Sequence, residues 1–181
     1  MIRALIKALF FLVIAAGITL VLSLRSFSVF NQEDLVAVVR CEPAPEGIRY
    51  RYLIEIAQMG GRLPGRREKF PMSGDQWSAG GVILKWKPWL TFLGAKSRHK
   101  LDRLSSRYET AEDEMNQPRT AYDLNGGCAA PWSWLQRWGG RLPFVDAVYG
   151  NAAYVPAQPG GRWGVYATHS GYLIRPLRDK P

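Results

Sequence analysis

Two histidines are the first residues to weigh as acid–base groups, since the chain contains no others. His99 lies in the basic segment "KSRHK", which is typical of a solvated loop. His169 directly precedes Ser170, but adjacent residues in a tight turn cannot form a nucleophile–base pair unless the fold arranges a third group beside them. Neither histidine therefore indicates a catalytic site, and the sequence predicts no enzyme.

Three consecutive acidic residues, Glu112, Asp113 and Glu114, are the best candidates for binding a divalent cation, because carboxylates suit hard cations. A solvated polar loop explains the same residues. The chain has no Cys/His cluster with metal-ligand spacing, no phosphate-binding loop, no HExxH, no GxSxG and no dinucleotide fingerprint. We therefore expect no metal ion and no cofactor.

Cys41 and Cys128 are the two cysteines of the chain. In an oxidising compartment they could form a disulfide that closes a loop of roughly 88 residues and contributes about 3 to 5 kcal/mol. Two unpaired buried thiols are the alternative. The choice depends on the compartment in which the domain folds.

The first residues, "MIRALIKALFFLVIAAGITLVLSLRS", form the longest apolar stretch of the chain. Residues 4–24 would span about 30 Å as a helix, enough to cross a bilayer if Lys7 extends to the headgroups. The alternative is a signal peptide cleaved near residues 15–17, but the apolar run continues beyond that site. We predict a transmembrane anchor at residues 1–25 that contacts the lipid bilayer through residues 4–24.

Charge around this anchor slightly favours a cytoplasmic N-terminus, because Arg3 and Lys7 precede it and Arg25 follows it. The remainder would then lie outside the cytoplasm. Without those three residues, 21 basic residues face 15 acidic ones, a net charge of +6. That is less basic than most nucleic-acid-binding modules, so we expect no nucleic-acid partner; the charge suits either solubility or an anionic membrane surface.

Most of the soluble part reads as β-strands. After a predicted juxtamembrane linker at residues 26–34, "LVAVVRCE" is rich in β-branched residues and "IRYRYLIEIAQ" alternates with a period of two, so the pair predicts an antiparallel hairpin. Further strands are expected in "EKFPMSGDQW", "GGVILKW", "TAYDLN" and a C-terminal hairpin that turns at residues 169–171. "KLDRLSSRYE" fits a strand or one face of a helix.

Helices are fewer. "AAPWSWLQRWGG" predicts one, with Pro131 in its first turn and Gly139 at its end. "LPFVDAVYGNAAYVPA" predicts a second short helix followed by a strand. The elements together predict one α+β domain over residues 35–181, strand-rich and mainly antiparallel, behind one N-terminal transmembrane helix.

Seven tryptophans fall mainly in two clusters, at residues 77–89 and 132–138. They could build the core, or several could be exposed beside lysine and arginine, as at headgroups or partner interfaces. Pro88 should end its strand because it has no N–H to donate, so the apolar residues after it leave the sheet. The candidate contact site for lipid or a partner consists of Trp86, Lys87, Trp89, Leu90, Phe92 and Leu93.

A family resemblance is carried by "DQWSAGGVILKWKPWLTFLGAKSRHKLDRLSSRYET", "PRTAYDL", "LPFVDAVYGNAAYVP" and "SGYLIRP". The chain resembles short single-span bacterial inner-membrane proteins that are commonly labelled cation/multidrug efflux pump or multidrug transporter. The resemblance covers about Asp75 to Pro176 and implies an inner-membrane location, but no activity, cofactor or catalytic residue. One span provides no polar pathway across a bilayer, so the chain by itself is not expected to transport anything.

The sequence thus predicts a membrane-anchored periplasmic interaction or accessory protein of a bacterial envelope complex, with a membrane protein as partner. The alternative is a periplasmic ligand- or lipid-binding domain with an enclosed, tryptophan-lined site. A hydrolase comes third, and it would require an acid, base or nucleophile converging in a cleft.

Overall fold

A computed structural model of the chain describes residues 2–30, 33–47, 49–60, 64–124 and 130–177. Its helices are α1 (Ile2–Phe30), α2 (Pro88–Phe92), α3 (Ala111–Asn116) and α4 (Ala130–Trp138), the last followed by a 3-10 turn at Gly139–Arg141. Its strands are β1 (Glu33–Pro43), β2 (Tyr52–Gln58), β3 (Arg67–Met72), β4 (Gln76–Trp86), β5 (Arg98–Arg107), β6 (Ala121–Asp123), β7 (Val145–Pro156), β8 (Arg162–Thr168) and β9 (Tyr172–Pro176).

Helix α1 is long and apolar enough over Ile2–Leu24 to cross a membrane, judged by length and composition. Its 29 residues extend about 43 Å at 1.5 Å per residue. The helix continues through Phe30 and β1 begins at Glu33, so most of the predicted linker at 26–34 is helix or strand. The sheet domain therefore begins very close to the end of the anchor.

The nine strands form two antiparallel sheets, which confirms the predicted strand-rich α+β domain. One sheet has the order β3-β2-β1-β8-β9, and the other has the order β6-β5-β4-β7. The predicted hairpin of β1 and β2 is confirmed, with Cys41 opposite Ile54. Tyr52, Ile54 and Ile56 alternate as buried residues along β2, as the period of two predicts.

Side chains from both sheets share one hydrophobic core. Trp77 of β4 meets Trp163 of β8 edge to face, with ring centroids 5.8 Å apart. Val39, Ile54 and Leu104 are fully buried in the same cluster. Burial of this apolar surface, at about 25 cal/mol per Å², is the main force that holds the two sheets together.

Strand β7 corrects the prediction of a second short helix in "LPFVDAVYGNAAYVPA". Only the 3-10 turn precedes it, and β7 then pairs with β4 from Trp86↔Val145 to Gln76↔Pro156. Small residues interrupt the alternating pattern of β7 because the two strands pack closely there. A Cβ on Gly80 of β4 would lie 2.8 Å from the Cβ of Ala152 in β7. "KLDRLSSRYE" lies in β5 rather than in a helix.

Candidate functional site

Helix α2 forms where Pro88 ends the β4 ladder. Proline occupies its first turn, where no backbone N–H is needed, and the amide of Lys87 donates to the Phe144 carbonyl at 3.0 Å. The helix closes at Gly94, whose φ of +94° is the left-handed conformation that glycine adopts readily. The predicted irregular connector is thus a single, well-terminated helical turn.

The outer side of α2 is apolar and exposed. Trp89 is 54% exposed, Phe92 47% and Leu93 60%, whereas Thr91 on the inner side is buried. We call these three exposed residues, Trp89, Phe92 and Leu93, the α2 surface. Exposure of three large apolar side chains to water costs free energy, so contact with an apolar neighbour would stabilise the α2 surface.

The other three residues of the predicted contact site have different environments. Lys87 is exposed, while Trp86 and Leu90 are half-buried. The Trp86 indole N–H donates to the Lys96 carbonyl at 2.8 Å, and its ring packs beside that of Phe144 at 6.1 Å between centroids. Trp86 therefore holds the base of α2 in place, and the exposed apolar contact is limited to the α2 surface.

Helix α2 lies beside the apolar helix α1. Among the side chains of α1 described at residues 2–24, only Leu22 is partly covered, and the rest are exposed. Leu22 is close to the end of the apolar segment Ile2–Leu24, on the side of α1 that leads into β1 at Glu33. The α2 surface is therefore at the end of the domain nearest the anchor.

A second aromatic group lies on α4. Trp134 and Trp138 are exposed, and the guanidinium of Arg141 lies over the Trp138 ring at 4.5 Å from its centroid. Gly139 lets this helix approach β7 closely, since a Cβ there would lie 2.7 Å from the Val148 Cγ2. We call Trp134, Trp138 and Arg141 the α4 cluster. It combines the aromatic and arginine side chains that dominate protein interfaces.

Five of the seven tryptophans are clearly buried or clearly exposed, and Trp86 and Trp132 are half-buried. Trp77 and Trp163 are buried in the core, whereas Trp89, Trp134 and Trp138 are exposed. Both alternatives drawn from the sequence hold, each for a different subset. Residue type alone could not show which tryptophans are buried and which are exposed, because tryptophan is common both in cores and at interfaces.

A polar cleft also lies at the end of the domain nearest the anchor. It is a shallow, solvent-open depression rather than an enclosed cavity, and no tryptophan lines it. We call it the anchor-end cleft; its lining residues are Asp34, Lys96, Ser97, His99, Ala167, Thr168 and His169. They come from the start of β1, the segment between α2 and β5, the start of β5 and the end of β8 with its turn.

The cleft brings both histidines of the chain together, which the sequence reading missed. His99 is half-buried rather than in a solvated loop, and its ring meets that of Tyr172 edge to face at 6.3 Å. The Nδ1 atom of His169 is 3.0 Å from the Ser97 Oγ, so its hydroxyl partner is Ser97 rather than the adjacent Ser170. The two partners are 72 positions apart, and no local motif could have revealed them.

Burial lowers the pKa of both imidazoles, which favours their neutral form. Desolvation lowers the pKa of His99, with Asp34 opposing and Arg98 adding to the effect. Desolvation also lowers the pKa of His169, with Lys85 adding to the effect and Asp146 opposing it. A neutral imidazole can accept a proton, which makes His169 chemically competent as a base toward Ser97.

The acidic triplet is engaged in local hydrogen bonds and an ion pair, and Cys41 is the one cysteine among the described residues. The Glu114 carboxylate accepts from the Tyr108 amide and from Arg119, and Asp113 bonds Thr110 at the start of α3. Within the described ranges no three His, Cys, Asp or Glu side chains are placed to hold a metal ion. Cys41 is buried in β1, and burial raises its pKa to about 11. Cys128 lies outside the described residues, so the disulfide stays a prediction.

Comparison with protein-family models, with curated proteins and with solved structures gave no match. The class of this protein is therefore defined by its own architecture: one helix able to span a membrane, followed by a two-sheet antiparallel domain.

Proposed function

We propose that this is a single-span protein of the bacterial inner membrane, with a cytoplasmic N-terminus and a periplasmic domain, that serves as an interaction or accessory component of an envelope complex. The observation that carries the proposal is the α2 surface, three exposed apolar side chains beside the membrane-spanning helix. An isolated soluble domain has no use for such a surface in that position. A domain that rests on a bilayer does.

Dimensions support contact between the α2 surface and lipid. A hydrocarbon core is about 30 Å thick, and α1 is about 43 Å long, so its last turns extend to the headgroup level. Helix α2 approaches α1 at the end where the domain begins. Tryptophan is favoured at this depth, and Lys87 can extend its amine to the phosphates. We assign the bilayer as the occupant of the α2 surface.

The α4 cluster supports a protein partner. Exposed tryptophan beside a stacked arginine is the combination found at the energetic centres of protein interfaces. The α4 cluster is joined to the anchor end through β7, whose neighbour Phe144 packs on Trp86. A neighbouring membrane protein would meet the domain there, in the same plane as the anchor. With the domain held at the bilayer by α1 and α2, the α4 cluster would be accessible to a neighbouring membrane protein.

Photo-crosslinking in living cells tests the partner. A photoreactive residue in place of Trp134 is expected to yield an adduct with one membrane protein, and Trp138→Ala should abolish that adduct. The matched control is the same residue in place of Met115, which is exposed on α3 away from both aromatic groups. Recovery of the uncrosslinked chain alone, or the same adducts at both positions, would contradict an accessory role.

A further inference from the structure

The Ser97–His169 pair has the geometry of a nucleophile with its base. The Oγ–Nδ1 distance of 3.0 Å is within the range required for proton transfer, and both side chains are partly buried at an open cleft. A hydrolase requires such groups to converge in a cleft. The fold provides that convergence from two segments distant in sequence.

The base is held on a rigid turn. The Thr168 hydroxyl oxygen accepts hydrogen bonds from the backbone amides of Ser170 at 3.2 Å and Gly171 at 3.1 Å. The Tyr149 hydroxyl donates to the Ser170 carbonyl at 2.9 Å, which ties the turn to β7. These contacts fix the backbone that carries His169. Such preorganisation is what separates a catalytic hydrogen bond from a transient surface contact.

We propose that Ser97 is a nucleophile, with His169 as its general base, for the hydrolysis of a carboxylic ester carried by an amphiphile at the bilayer surface. The ester class follows from the nucleophile–base pair, since a serine hydroxyl with a neutral imidazole is suited to acyl transfer. The amphiphilic nature of the substrate is inferred from the position of Ser97, and this inference rests on the proposed contact of the α2 surface with the bilayer. Ser97 comes four residues after Leu93 of the α2 surface, and Lys96 beside it offers positive charge to an anionic headgroup.

The reaction proceeds in two balanced steps. The Ser97 Oγ attacks the ester carbonyl carbon while the His169 Nδ1 takes its proton; the bond to the leaving alcohol breaks, and the alcohol takes that proton from His169. Water then attacks the acyl-Ser97 ester, again losing a proton to His169. The carboxylic acid leaves, and the proton returns to the Ser97 oxygen. The water molecule is the only co-reactant.

A fluorophosphonate probe tests the pair directly on the purified full-length protein in mild detergent. The expected result is a covalent adduct on Ser97, located by mass spectrometry, that Ser97→Ala abolishes and His169→Gln slows by about 100-fold or more. Ser170→Ala, which removes the neighbouring exposed hydroxyl, should label like the unaltered protein. No adduct on Ser97, or an adduct that forms equally fast in His169→Gln, would overturn the proposal; matching thermal unfolding curves show that the variants fold.

The pH dependence of labelling adds a second readout. His169 must be neutral to accept the proton, and burial and Lys85 lower its pKa while Asp146 raises it. Lys96, His99 and Asp34 are the other ionisable groups that line the cleft. The labelling rate should therefore be constant above pH 7 and fall in acid with a midpoint below about 6.5. A midpoint above that value would contradict His169 as the base.

The substrate class is tested separately with p-nitrophenyl esters. Faster hydrolysis of a long-chain ester than of the acetate, with the preference reduced by Phe92→Ser plus Leu93→Ser, supports the amphiphile. Ser97 labelling without a chain-length preference would overturn the amphiphile alone. Failure of Ser97 to label, with α2 still in contact with the bilayer, would overturn the nucleophile and leave the proposed function intact.

Discussion

Two buried tyrosines differ in what their hydroxyl groups contact. The Tyr52 hydroxyl donates to the Gln76 carbonyl at 3.0 Å, and only 2% of this residue is exposed. Tyr172 is 7% exposed, and its hydroxyl oxygen is buried with no hydrogen-bond partner among the described residues. Burial of a hydroxyl group without a partner costs free energy that a phenylalanine would not.

This contrast predicts opposite effects of the same substitution. Tyr172→Phe should leave the free energy of unfolding unchanged or raise it by up to about 1 kcal/mol, because it removes an unsatisfied group. Tyr52→Phe should lower it by about 1 to 2 kcal/mol, because the Gln76 carbonyl loses its donor. Urea unfolding of the two purified variants measures both. A larger loss for Tyr172→Phe than for Tyr52→Phe would refute the assigned environments.

The pairing of Ser97 with His169 shows what residue patterns cannot reveal. Ser97 lies in a segment typical of a solvated basic loop and His169 in a predicted hairpin turn, and the two meet only because the sheets that contain β5 and β8 pack together. The departure of the α2 residues from the sheet was predictable for the opposite reason. There Pro88 and the apolar residues that follow it act locally, over a few positions.

Strand β4 depends on small residues at its centre. The β4–β5 register shifts between Gly80 and Gly81, and a Cβ on Gly81 would lie 2.0 Å from the Lys100 carbonyl oxygen and 2.9 Å from the Leu101 Cα. Both are backbone atoms, which cannot move aside without breaking the pairing. Glycine at 81 is therefore required by the close approach of β5.

Gly81→Ala should accordingly lower the free energy of unfolding by about 3 kcal/mol or more. The control is Gly150→Ala on the facing strand β7, where the nearest atom to a new Cβ is 4.0 Å away. That control should change stability by less than about 1 kcal/mol. Thermal unfolding monitored by circular dichroism compares the two. Equal stability of both variants would contradict the described bulge.

At the scale of elements, periodicity predicted most of the sheet and failed where small residues interrupt it. The alternation in "IRYRYLIEIAQ" indicated β2, with its hairpin partner β1, because one face of each strand is buried. In β7, Gly150 and Ala152 obscure the alternation, and Ala152 is small where Gly80 of β4 lies close to it. The predicted helix there was wrong for that reason. Strand order required the tertiary structure, because sequence patterns do not encode which edges meet.

The exposed aromatic side chains and the histidine-lined cleft lie toward the end of the domain that follows α1. The α2 surface and the anchor-end cleft lie at the end where α1 meets the domain, and the α4 cluster adjoins that end through β7. The opposite end has α3, whose carboxylates are engaged in capping and ion pairs. A helix long and apolar enough to cross a membrane was predictable from the N-terminal sequence alone. The concentration of exposed aromatic side chains and histidines at one end was not, since it arises only when nine strands bring distant segments together.

Labelling by a membrane-impermeant maleimide tests the central claim, that the domain is periplasmic and rests on the bilayer through the α2 surface. Leu93→Cys and Met115→Cys are compared in spheroplasts, in a background in which Cys41 is alanine and Cys128 is serine. Met115→Cys is expected to react at once, and Leu93→Cys is expected to react only after detergent is added. Equal reaction of both before detergent would contradict contact with the bilayer, and reaction of neither would contradict the periplasmic location.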